Sequence, residues 1–253
     1  MSQASDLESG LKALHLSMAA ACYAESAEEA RKESLTHEQF LLALVSRELE
    51  HRQVNRTERW LHESQLPLEK SLDGFDRARL PAKVAAILAT LLSGDFLQRA
   101  ENVLIFGNPG SGKTHLVCAL AQELIHRGRR ILFYPCQILV QDLLRAKREL
   151  SLAQELKRLA RYEALIIDDI GYVQQDRQEM EVLFALLADR YERRSLLITS
   201  NLPFSKWDSI FKDPMTTAAA IDRLVHHSTI VELNLPSYRL QAAKRSTAKG
   251  GEP

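Results

Sequence analysis

The amino-acid sequence predicts a three-layer α/β fold built on a five-stranded parallel sheet and preceded by a small all-helical domain. Two patterns lead to this prediction. From about residue 100, short apolar runs alternate with segments of helical periodicity, which is typical of a parallel sheet covered by helices on both faces. Before that point the chain shows helical periodicity and no strand signal. Its 253 residues are enough for one or two domains.

The helical N-terminal domain is predicted to span residues 1–66. Thr36 and Gln39 stand in the pattern of a capping box, which predicts a helix from there to about Leu61. Two sets of apolar residues in this domain repeat at helical spacing. They are Leu7, Leu11, Leu14, Met18 and Cys22, and then Phe40, Leu41, Leu44, Val45 and Leu49.

The next segment, residues 67–100, is interpreted as a linker followed by a leading helix. Pro67, Gly74 and Pro81 interrupt the periodicity, and a helix is predicted from about residue 82 to 92. The α/β domain then spans residues 101–243, and residues 244–253 are interpreted as a flexible basic tail.

Five short apolar runs are the predicted strands of the sheet. They do not alternate between apolar and polar residues, which indicates strands buried on both faces. Ligands of such sheets bind outside the carboxyl ends of the strands, so the residues that follow each run are the candidates for function. The runs occupy residues 102–106, 130–134, 164–168, 195–199 and 229–233.

The first run leads into the spacing G-x-x-x-x-G-K-[ST] of a phosphate-binding loop. Its glycines let backbone N–H groups approach phosphate oxygens, and the following helix directs its positive end at the same anion. Lys113 is expected to reach the β- and γ-phosphates, and the Thr114 hydroxyl to hold Mg²⁺. The motif therefore predicts binding of ATP with Mg²⁺ rather than a Gly-rich turn without chemistry. The loop consists of Gly107, Asn108, Pro109, Gly110, Ser111, Gly112, Lys113 and Thr114.

Polar residues also end the third and fourth runs. Asp168 and Asp169 follow an apolar strand, as in a Walker-B site, where the first acid binds Mg²⁺ and the second orients or deprotonates the attacking water. Asn201 follows the neighbouring strand and is expected to contact the γ-phosphate or that water. The alternative interpretations are a solvated loop start for the two acids and a turn residue for Asn201.

Arg223 lies near the end of a helix predicted over residues 215–227. One interpretation is a surface arginine placed favourably against the helix dipole. The other is an arginine finger given to the γ-phosphate bound by a neighbouring subunit, which is worth about 10³–10⁵ in rate where such fingers act. The sequence pattern alone leaves both open.

Composition limits the other classes of function. The formal net charge of +0 predicts no polyanion partner from the global balance. The three cysteines, Cys22, Cys118 and Cys136, are far apart and include no C-x-x-C pair, so a disulfide framework or zinc site is not expected and a reducing cytosol fits. No apolar run approaches the ~18 residues of a membrane span, and a cytoplasmic location with no membrane partner is expected.

Local basic clusters are the sequence evidence for DNA binding. Residues 127–161 hold nine Lys/Arg against three acids. Residues 1–80 are acidic overall, with 10 Lys/Arg against 14 Asp/Glu, yet three of their arginines share one helical face. The bland interpretation of either region is a solvated helix face. If an oligomer aligned several subunits, each would add a few phosphate contacts on duplex DNA. The candidates are Arg52, Arg56 and Arg59 on one helical face, and Arg145, Lys147 and Arg148.

Five segments in this order make the chain resemble the IstB helper ATPases of insertion sequences, to which the bacterial helicase loader DnaC is related. They are GNPGSGKT at 107–114, LIIDDIGY at 165–172, LITSNLPF at 197–204, AIDRLVHH at 220–227 and SYRL at 237–240. The resemblance covers nearly the whole chain and is far more specific than the phosphate loop alone.

The resemblance implies an AAA+ ATPase fold of the initiator clade, without the usual C-terminal helical lid. It implies oligomers that assemble with ATP on double-stranded DNA, and a transposase encoded by the same element as partner. It favours the arginine-finger role of Arg223, and it makes Arg239 a candidate for contacting nucleotide in place of a lid arginine. Most AAA+ enzymes carry Asp-Glu where this chain has Asp168-Asp169, so slow, switch-like hydrolysis is expected.

Two other functions remain open on the sequence. A helicase loader would use the same ATPase core and differ mainly in the partner of its N-terminal domain. A P-loop kinase acting on a small molecule is disfavoured, because it predicts a lid with several arginines and gives Arg223 no role at a subunit edge.

Overall fold

The computed structural model describes residues 3–171, 177–207 and 214–238. Contacts between Cα atoms divide the chain into two compact units, residues 1–59 and 60–253. The division falls within the third helix, a few residues before the boundary at 66 that the sequence predicts. Arg239 and the basic tail at 244–253 lie outside the described residues, as does the stretch that would show a C-terminal lid.

The first unit consists of helices α1 (Gln3–Ala13), α2 (Ser17–Lys32) and most of α3 (His37–Glu63). The predicted capping box starts α3: the Thr36 N–H donates to Gln39 Oε1 at 2.9 Å, and the Gln39 N–H donates to Thr36 Oγ1 at 3.2 Å. Ala19, Cys22 and Leu44 form the small core of this unit.

The periodic set from Leu7 to Cys22 forms two helices rather than one. The chain turns between Ala13 and Ser17, where His15 adopts a φ of 57°. The buried Glu48 carboxylate of α3 stabilises this break, because it accepts the N–H groups of Met18 and Ala19 at 2.8 and 3.0 Å and so caps the start of α2. Periodicity could not show this break, since the capping carboxylate comes from a position 30 residues away.

The second unit is built on five parallel strands, in the order β2-β3-β4-β1-β5. The strands are β1 (Asn102–Gly107), β2 (Ile131–Pro135), β3 (Ala164–Asp168), β4 (Ser195–Ser200) and β5 (Ser228–Leu233). The helices are α4 (Ala82–Leu91), α5 (Asp95–Gln98), α6 (Lys113–His126), α7 (Cys136–Arg148), α8 (Leu152–Leu159), α9 (Arg177–Arg190) and α10 (Pro214–Val225). All five predicted strands are present, each within one residue of its predicted bounds.

Helices cover both faces of the sheet, which confirms the predicted three layers. On one face α4, α5 and α6 pack against the strands, and on the other α7 to α10 do so. The residues of β3 from Ala164 to Ile167 have no solvent exposure. The apolar residues of α6 that repeat at helical spacing are also buried, namely Leu116, Val117, Leu120, Ala121, Leu124 and Ile125. Such strands carry no polar alternation, because neither side of the sheet meets water.

The segment before α4 belongs to the core of the second unit. Leu66, Leu72 and Leu80 are buried in the cluster formed by α4, α6 and the sheet. The carbonyl of Ser64 accepts the Phe133 N–H of β2 at 2.8 Å. Residues 64–80 are thus fixed by packing along their length, although their sequence is that of a linker.

A buried arginine closes the end of the sheet where β3 and β4 begin. Arg190, at the end of α9, is only 1% exposed. Its guanidinium donates to the carbonyl oxygens of Leu159, Tyr162 and Ser195 at 3.0–3.1 Å. It joins α8, α9 and β4 by donating to carbonyl oxygens at the end of α8, just after α8 and at the start of β4.

Candidate nucleotide-binding site

The carboxyl ends of β1, β3 and β4 meet at one edge of the sheet. Phe106 pairs with Ser200, and Ile167 pairs with Ile198, so the residues that follow these three strands lie next to one another. The phosphate loop, the two acids and Asn201 are therefore brought together, as the sequence predicts for ligands of a parallel sheet.

The loop runs from Gly107 at the end of β1 to Lys113 at the start of α6. Gly110 and Gly112 have φ values of 77° and 98°, which favour glycine. A Cβ at Gly110 would collide with the side chain of Ser237, so this glycine also permits close approach of another segment. The backbone thus reaches α6 in a tight turn whose N–H groups stand at the positive end of that helix.

Lys113 is held against this loop. It is 6% exposed, and its Nζ donates to the carbonyl oxygens of Gly107 and Asn108 at 2.9 and 3.1 Å. A cation buried beside backbone N–H groups is suited to binding an anion such as a phosphate.

The Asp168 carboxylate lies between two hydroxyl groups. Thr114 Oγ1 donates to Asp168 Oδ1 and Oδ2 at 2.9 and 3.1 Å, and Thr199 Oγ1 donates to Oδ1 at 2.6 Å. The structure thereby brings together the two predicted magnesium ligands, Thr114 and Asp168. Both offer oxygen atoms, which Mg²⁺ prefers.

Asp169 and Asn201 line the same cavity as the phosphate loop. Asp169 adopts a φ of 62°, and its N–H donates to Thr199 Oγ1 at 2.9 Å. The Oδ1 atom of Asn201 is buried and has no hydrogen-bond partner among the residues that the structure describes.

An aromatic anchor supports the loop that carries Asn201. Trp207 is fully buried, and its Nε1–H donates to the Leu202 carbonyl at 3.2 Å. Its ring contacts Phe204, which packs edge-on against Phe106 of β1 with 4.7 Å between ring centroids. This packing ties the end of β4 to the strand that leads into the phosphate loop.

The cavity has a volume of about 240 Å³, and one of its walls was not predicted from the sequence. That wall includes Phe75 and Arg79 from the supposed linker, His115 from α6, and Tyr238. The Phe75 and His115 rings lie 5.1 Å apart, and the Arg79 guanidinium lies 5.4 Å from the Tyr238 ring centroid. Flat rings beside a phosphate loop are suited to contact a nucleotide base.

Hydrogen bonds within the second unit hold this wall in place. His115 Nε2 lies 2.8 Å from the Ser71 carbonyl, and Gln122 donates to the Lys70 carbonyl at 3.1 Å. Arg79 donates to the Pro236 carbonyl at 2.9 Å, and the Tyr238 N–H donates to the Gly110 carbonyl at 2.9 Å. The only sequence signal for these contacts was the position of His115, directly after the phosphate loop.

Arg223 lies in the last turn of α10 and is not among the residues that line the cavity in the described part of its own chain. Its guanidinium lies 4.8 Å from the Phe184 ring centroid, and its Nη1 donates to the Ala219 carbonyl at 2.9 Å. The structure thus places Arg223 apart from Lys113, Asp168, Asp169 and Asn201.

The candidate DNA-binding residues differ in exposure and in their hydrogen bonds and ion pairs within the chain. Arg52 donates to Glu48 Oε1 at 2.7 Å and to the His15 carbonyl, so it supports the turn between α1 and α2. Lys147 donates to Glu181 at 2.6 Å, and Arg145 lies 3.5 Å from Asp142. Arg56, Arg59 and Arg148 are exposed.

Cys118, on α6, is excluded as a nucleophile. Its side chain is buried, and burial, with a smaller contribution from the Asp168 charge, raises the pKa of the thiol to about 12. The thiol therefore stays protonated at neutral pH, and nucleophilic chemistry through a thiolate is not available to this site.

The fold and the site define a P-loop nucleotide-binding protein of the AAA+ type. Among solved structures, the DnaC helicase loader is similar with a TM-score of 0.57 and 16% identity, covering 66% of this chain and 97% of the loader. AMPPCP-bound DnaA from Aquifex aeolicus is similar with a TM-score of 0.55 and 17% identity, covering 73% of this chain and 56% of DnaA.

Within this class the chain belongs to the family of IstB-like ATP-binding proteins, whose model matches residues 9–246. An insertion-sequence ATP-binding protein of Sinorhizobium fredii is 43% identical over 228 residues, which are 90% of this chain and 76% of that protein. The IS21 ATP-binding protein of Pseudomonas aeruginosa is 37% identical over 241 residues, or 95% of this chain and 89% of that protein. The predicted family is confirmed.

Within the described residues, no helix combines the length and the apolar character that crossing a membrane requires.

Proposed function

We propose that this protein is the ATP-hydrolysing helper of an insertion sequence, which assembles on double-stranded DNA with ATP and delivers or activates the transposase of the same element. The observation that carries the proposal is that Lys113, Thr114, Asp169 and Asn201 line one cavity, with Asp168 hydrogen-bonded to Thr114 beside it. Its family relatives are named for insertion sequences and for ATP binding.

Each residue of the cluster has a chemical task in this proposal. Lys113 and the loop N–H groups bind the phosphates, and Thr114 with Asp168 holds Mg²⁺, which supplies charge neutralisation when bound. Asp169 orients or deprotonates the attacking water, and Asn201 contacts that water or the γ-phosphate. Phe75, Arg79 and Tyr238 contact the base, which accounts for the unpredicted wall.

Hydrolysis in the proposal depends on a second subunit. Arg223 is a half-buried cation in the last turn of α10 and is not among the described residues that line its own cavity, so in this proposal it serves a neighbour. A subunit without a neighbour would bind ATP and hydrolyse it slowly, so ATP favours the assembled state and hydrolysis ends it.

A helicase loader is the second candidate, because the fold is similar to DnaC over nearly the whole of that loader. The two functions share the site and differ in the partner. Co-purification of the chain with either the neighbouring transposase or the replicative helicase, each expressed with it in pairs, separates them. Binding of the helicase but not the transposase would overturn the helper function.

The proposal is tested by titrating duplex DNA with the protein at several salt concentrations, with and without ATP. Tight binding is expected only with ATP, because only an oligomer adds enough phosphate contacts, and log affinity should fall linearly with log salt.

Lys113→Ala should remove both ATP binding and ATP-dependent DNA binding. Arg148→Glu, at an exposed basic position, should weaken binding about equally for all sequences and lower the salt slope by about 1.

The matched control is Lys83→Glu, which makes the same charge reversal at an exposed position on α4. It should leave the slope unchanged. If both charge reversals changed the DNA affinity and the salt slope equally, Arg148 would not be a specific DNA contact. Near wild-type ATP affinity of Lys113→Ala, measured by calorimetry, would refute the phosphate site itself.

A further inference from the structure

Thr199 is the fully buried residue of β4 that faces the acids at the end of β3. It lies two positions before Asn201, and the sequence patterns assign it no role beyond the end of a strand. Its side chain carries a single hydroxyl group, which forms hydrogen bonds to both of the acids.

The Thr199 hydroxyl donates its proton to Asp168 Oδ1 at 2.6 Å. The same oxygen accepts the N–H of Asp169 at 2.9 Å. One group therefore touches the magnesium-ligand carboxylate on one side and the backbone of the proposed base on the other. Its donor and acceptor capacities are used in opposite directions, so the two contacts reinforce each other.

The backbone of Thr199 extends this contact. Its carbonyl accepts the N–H of Ile170 at 3.1 Å, so two successive N–H groups after Asp168 are bound by one residue. Between them Asp169 adopts a φ of 62°, in the left-handed region that costs a non-glycine residue energy. The two Thr199 contacts stabilise this conformation on either side of Asp169.

We infer that Thr199 is a positioning residue, which sets the Asp168 carboxylate for Mg²⁺ and the Asp169 backbone for the attacking water. This inference rests on the proposed function of the site. The inference also explains how Asp can serve at position 169, where most AAA+ enzymes carry Glu. The Asp side chain is one methylene shorter, so its reach depends more on the position of its backbone.

The test uses Thr199→Val, which keeps the size and branching of the side chain and removes the hydroxyl. Binding of a fluorescent ATP analogue is measured in the full chain at increasing Mg²⁺, and in EDTA. The Mg²⁺ concentration for half-maximal effect should rise about 10–100-fold, the usual cost of losing a group behind a metal ligand. Binding in EDTA should stay at the wild-type level, because the phosphate loop is untouched.

Two further variants sharpen the result. Thr199→Ser keeps the hydroxyl and should restore the wild-type Mg²⁺ requirement. Ser195→Ala removes a buried hydroxyl from the opposite end of the same strand, where Ser195 Oγ donates to the Phe96 carbonyl at 3.5 Å, and should change nothing. The Asp169 amide, measured by hydrogen exchange without nucleotide, should be protected in wild type and Thr199→Ser and exposed in Thr199→Val.

An unchanged Mg²⁺ requirement in Thr199→Val, while wild type binds ATP normally, would overturn the role of Thr199 alone. So would a loss in Thr199→Ser as large as in Thr199→Val, which does not depend on the valine variant folding. Absence of nucleotide binding by wild type under all conditions would instead overturn the proposed function, and the positioning role with it.

Discussion

At the scale of single residues, the site is a set of short side chains whose positions are fixed by neighbours rather than by their own length. Asp169 shows this most clearly, since a buried hydroxyl holds its N–H and its φ is 62°. Thr114 and Asp168 are likewise in direct contact at 2.9 Å. In the proposed hydrolysis, small displacements of these side chains should change the rate, because general acid–base chemistry needs donors and acceptors within hydrogen-bond reach.

Replacing Asp169 by Asn keeps the shape of the side chain and removes its charge. ATP binding should be unchanged, because the phosphate loop and Asp168 remain, while the rate of hydrolysis should fall about 10²–10⁴-fold with the loss of the base. Phosphate release and calorimetry on the same preparation separate the two effects. The control is Asp95→Asn, at an exposed carboxylate on α5, and a rate loss of similar size there would argue against Asp169 as the base.

The sequence predicted the site residues that end or follow the strands, but not the cavity wall that includes Phe75, Arg79, His115 and Tyr238. Lys113, Asp168 and Asn201 follow strands, and a parallel sheet brings strand ends together by its topology alone. No topological rule predicts the position of Phe75 and Arg79, because they lie in a loop. That loop is held at the cavity by contacts of His115 and Gln122 with its backbone. Arg190 was missed for a related reason: charged residues are almost never fully buried, and two of its carbonyl partners, Leu159 and Tyr162, lie 31 and 28 positions away.

At the scale of helices and strands, the two parts of the chain were predicted with unequal success. The strands were found because burial on both faces leaves an uninterrupted apolar run. The turn between α1 and α2 was missed because it depends on Glu48, whose carboxylate is 4% exposed and belongs to α3. Leu41, Val45 and Leu49 fit the helical pattern of α3 but remain exposed, so periodicity alone did not distinguish core from surface there.

The contact between α3 and the start of α2 makes the first unit sensitive to acid. Burial alone would raise the pKa of Glu48, but hydrogen bonds from the Ala19 N–H, Arg52 and the Met18 N–H lower this pKa overall. A carboxyl whose pKa is lower in the folded state stabilises the fold above its unfolded pKa of about 4.3 and loses that contribution as pH falls through the folded value. Wild-type stability should therefore fall steeply below about pH 4.

Glu48→Gln should destabilise the protein by about 1–2 kcal/mol at pH 7, because hydrogen bonds to a charged group are stronger than those to an amide. It should also flatten the acid dependence below pH 4. Thermal unfolding of the full chain between pH 3 and 7, followed by circular dichroism, measures both. Glu29→Gln, which removes the carboxylate of the exposed ion pair with Arg47, is the control and should change stability little. An unchanged acid slope in Glu48→Gln would show that other carboxyl groups set it.

At the scale of the whole molecule, the proposed activity belongs to the assembly and not to the single chain. Arg223 lies apart from its own cavity in the described structure, beside Phe184. The fold alone, shared with DnaC and DnaA, does not say which neighbour it would serve. Complementation between two inactive variants tests directly whether Arg223 acts on the site of a neighbouring subunit.

Arg223→Ala should bind ATP and hydrolyse it about 10³–10⁵-fold more slowly, as expected for loss of an arginine finger. Mixed with Asp169→Asn, which lacks the base but keeps its arginine, it should regain activity at sites that combine an intact Asp169 with a neighbour's Arg223. Steady-state hydrolysis across mixing ratios gives a maximum between the pure variants. Activity equal to the sum of the separate variants at every ratio would rule out the role in trans, and Arg193→Ala, an exposed arginine after α9, serves as the control.

The wall of the nucleotide cavity joins parts of the chain that are far apart in sequence. Arg79 binds the Pro236 carbonyl across 157 positions, and Tyr238 rests on Gly110. Closing so long a loop costs chain entropy of about (3/2)RT ln n, and a nucleotide that touches both sides of the wall offsets part of that cost. Bound nucleotide would then link the two ends of the second unit reversibly. The lifetime of the protein against proteases in the cell would rise and fall with the supply of ATP.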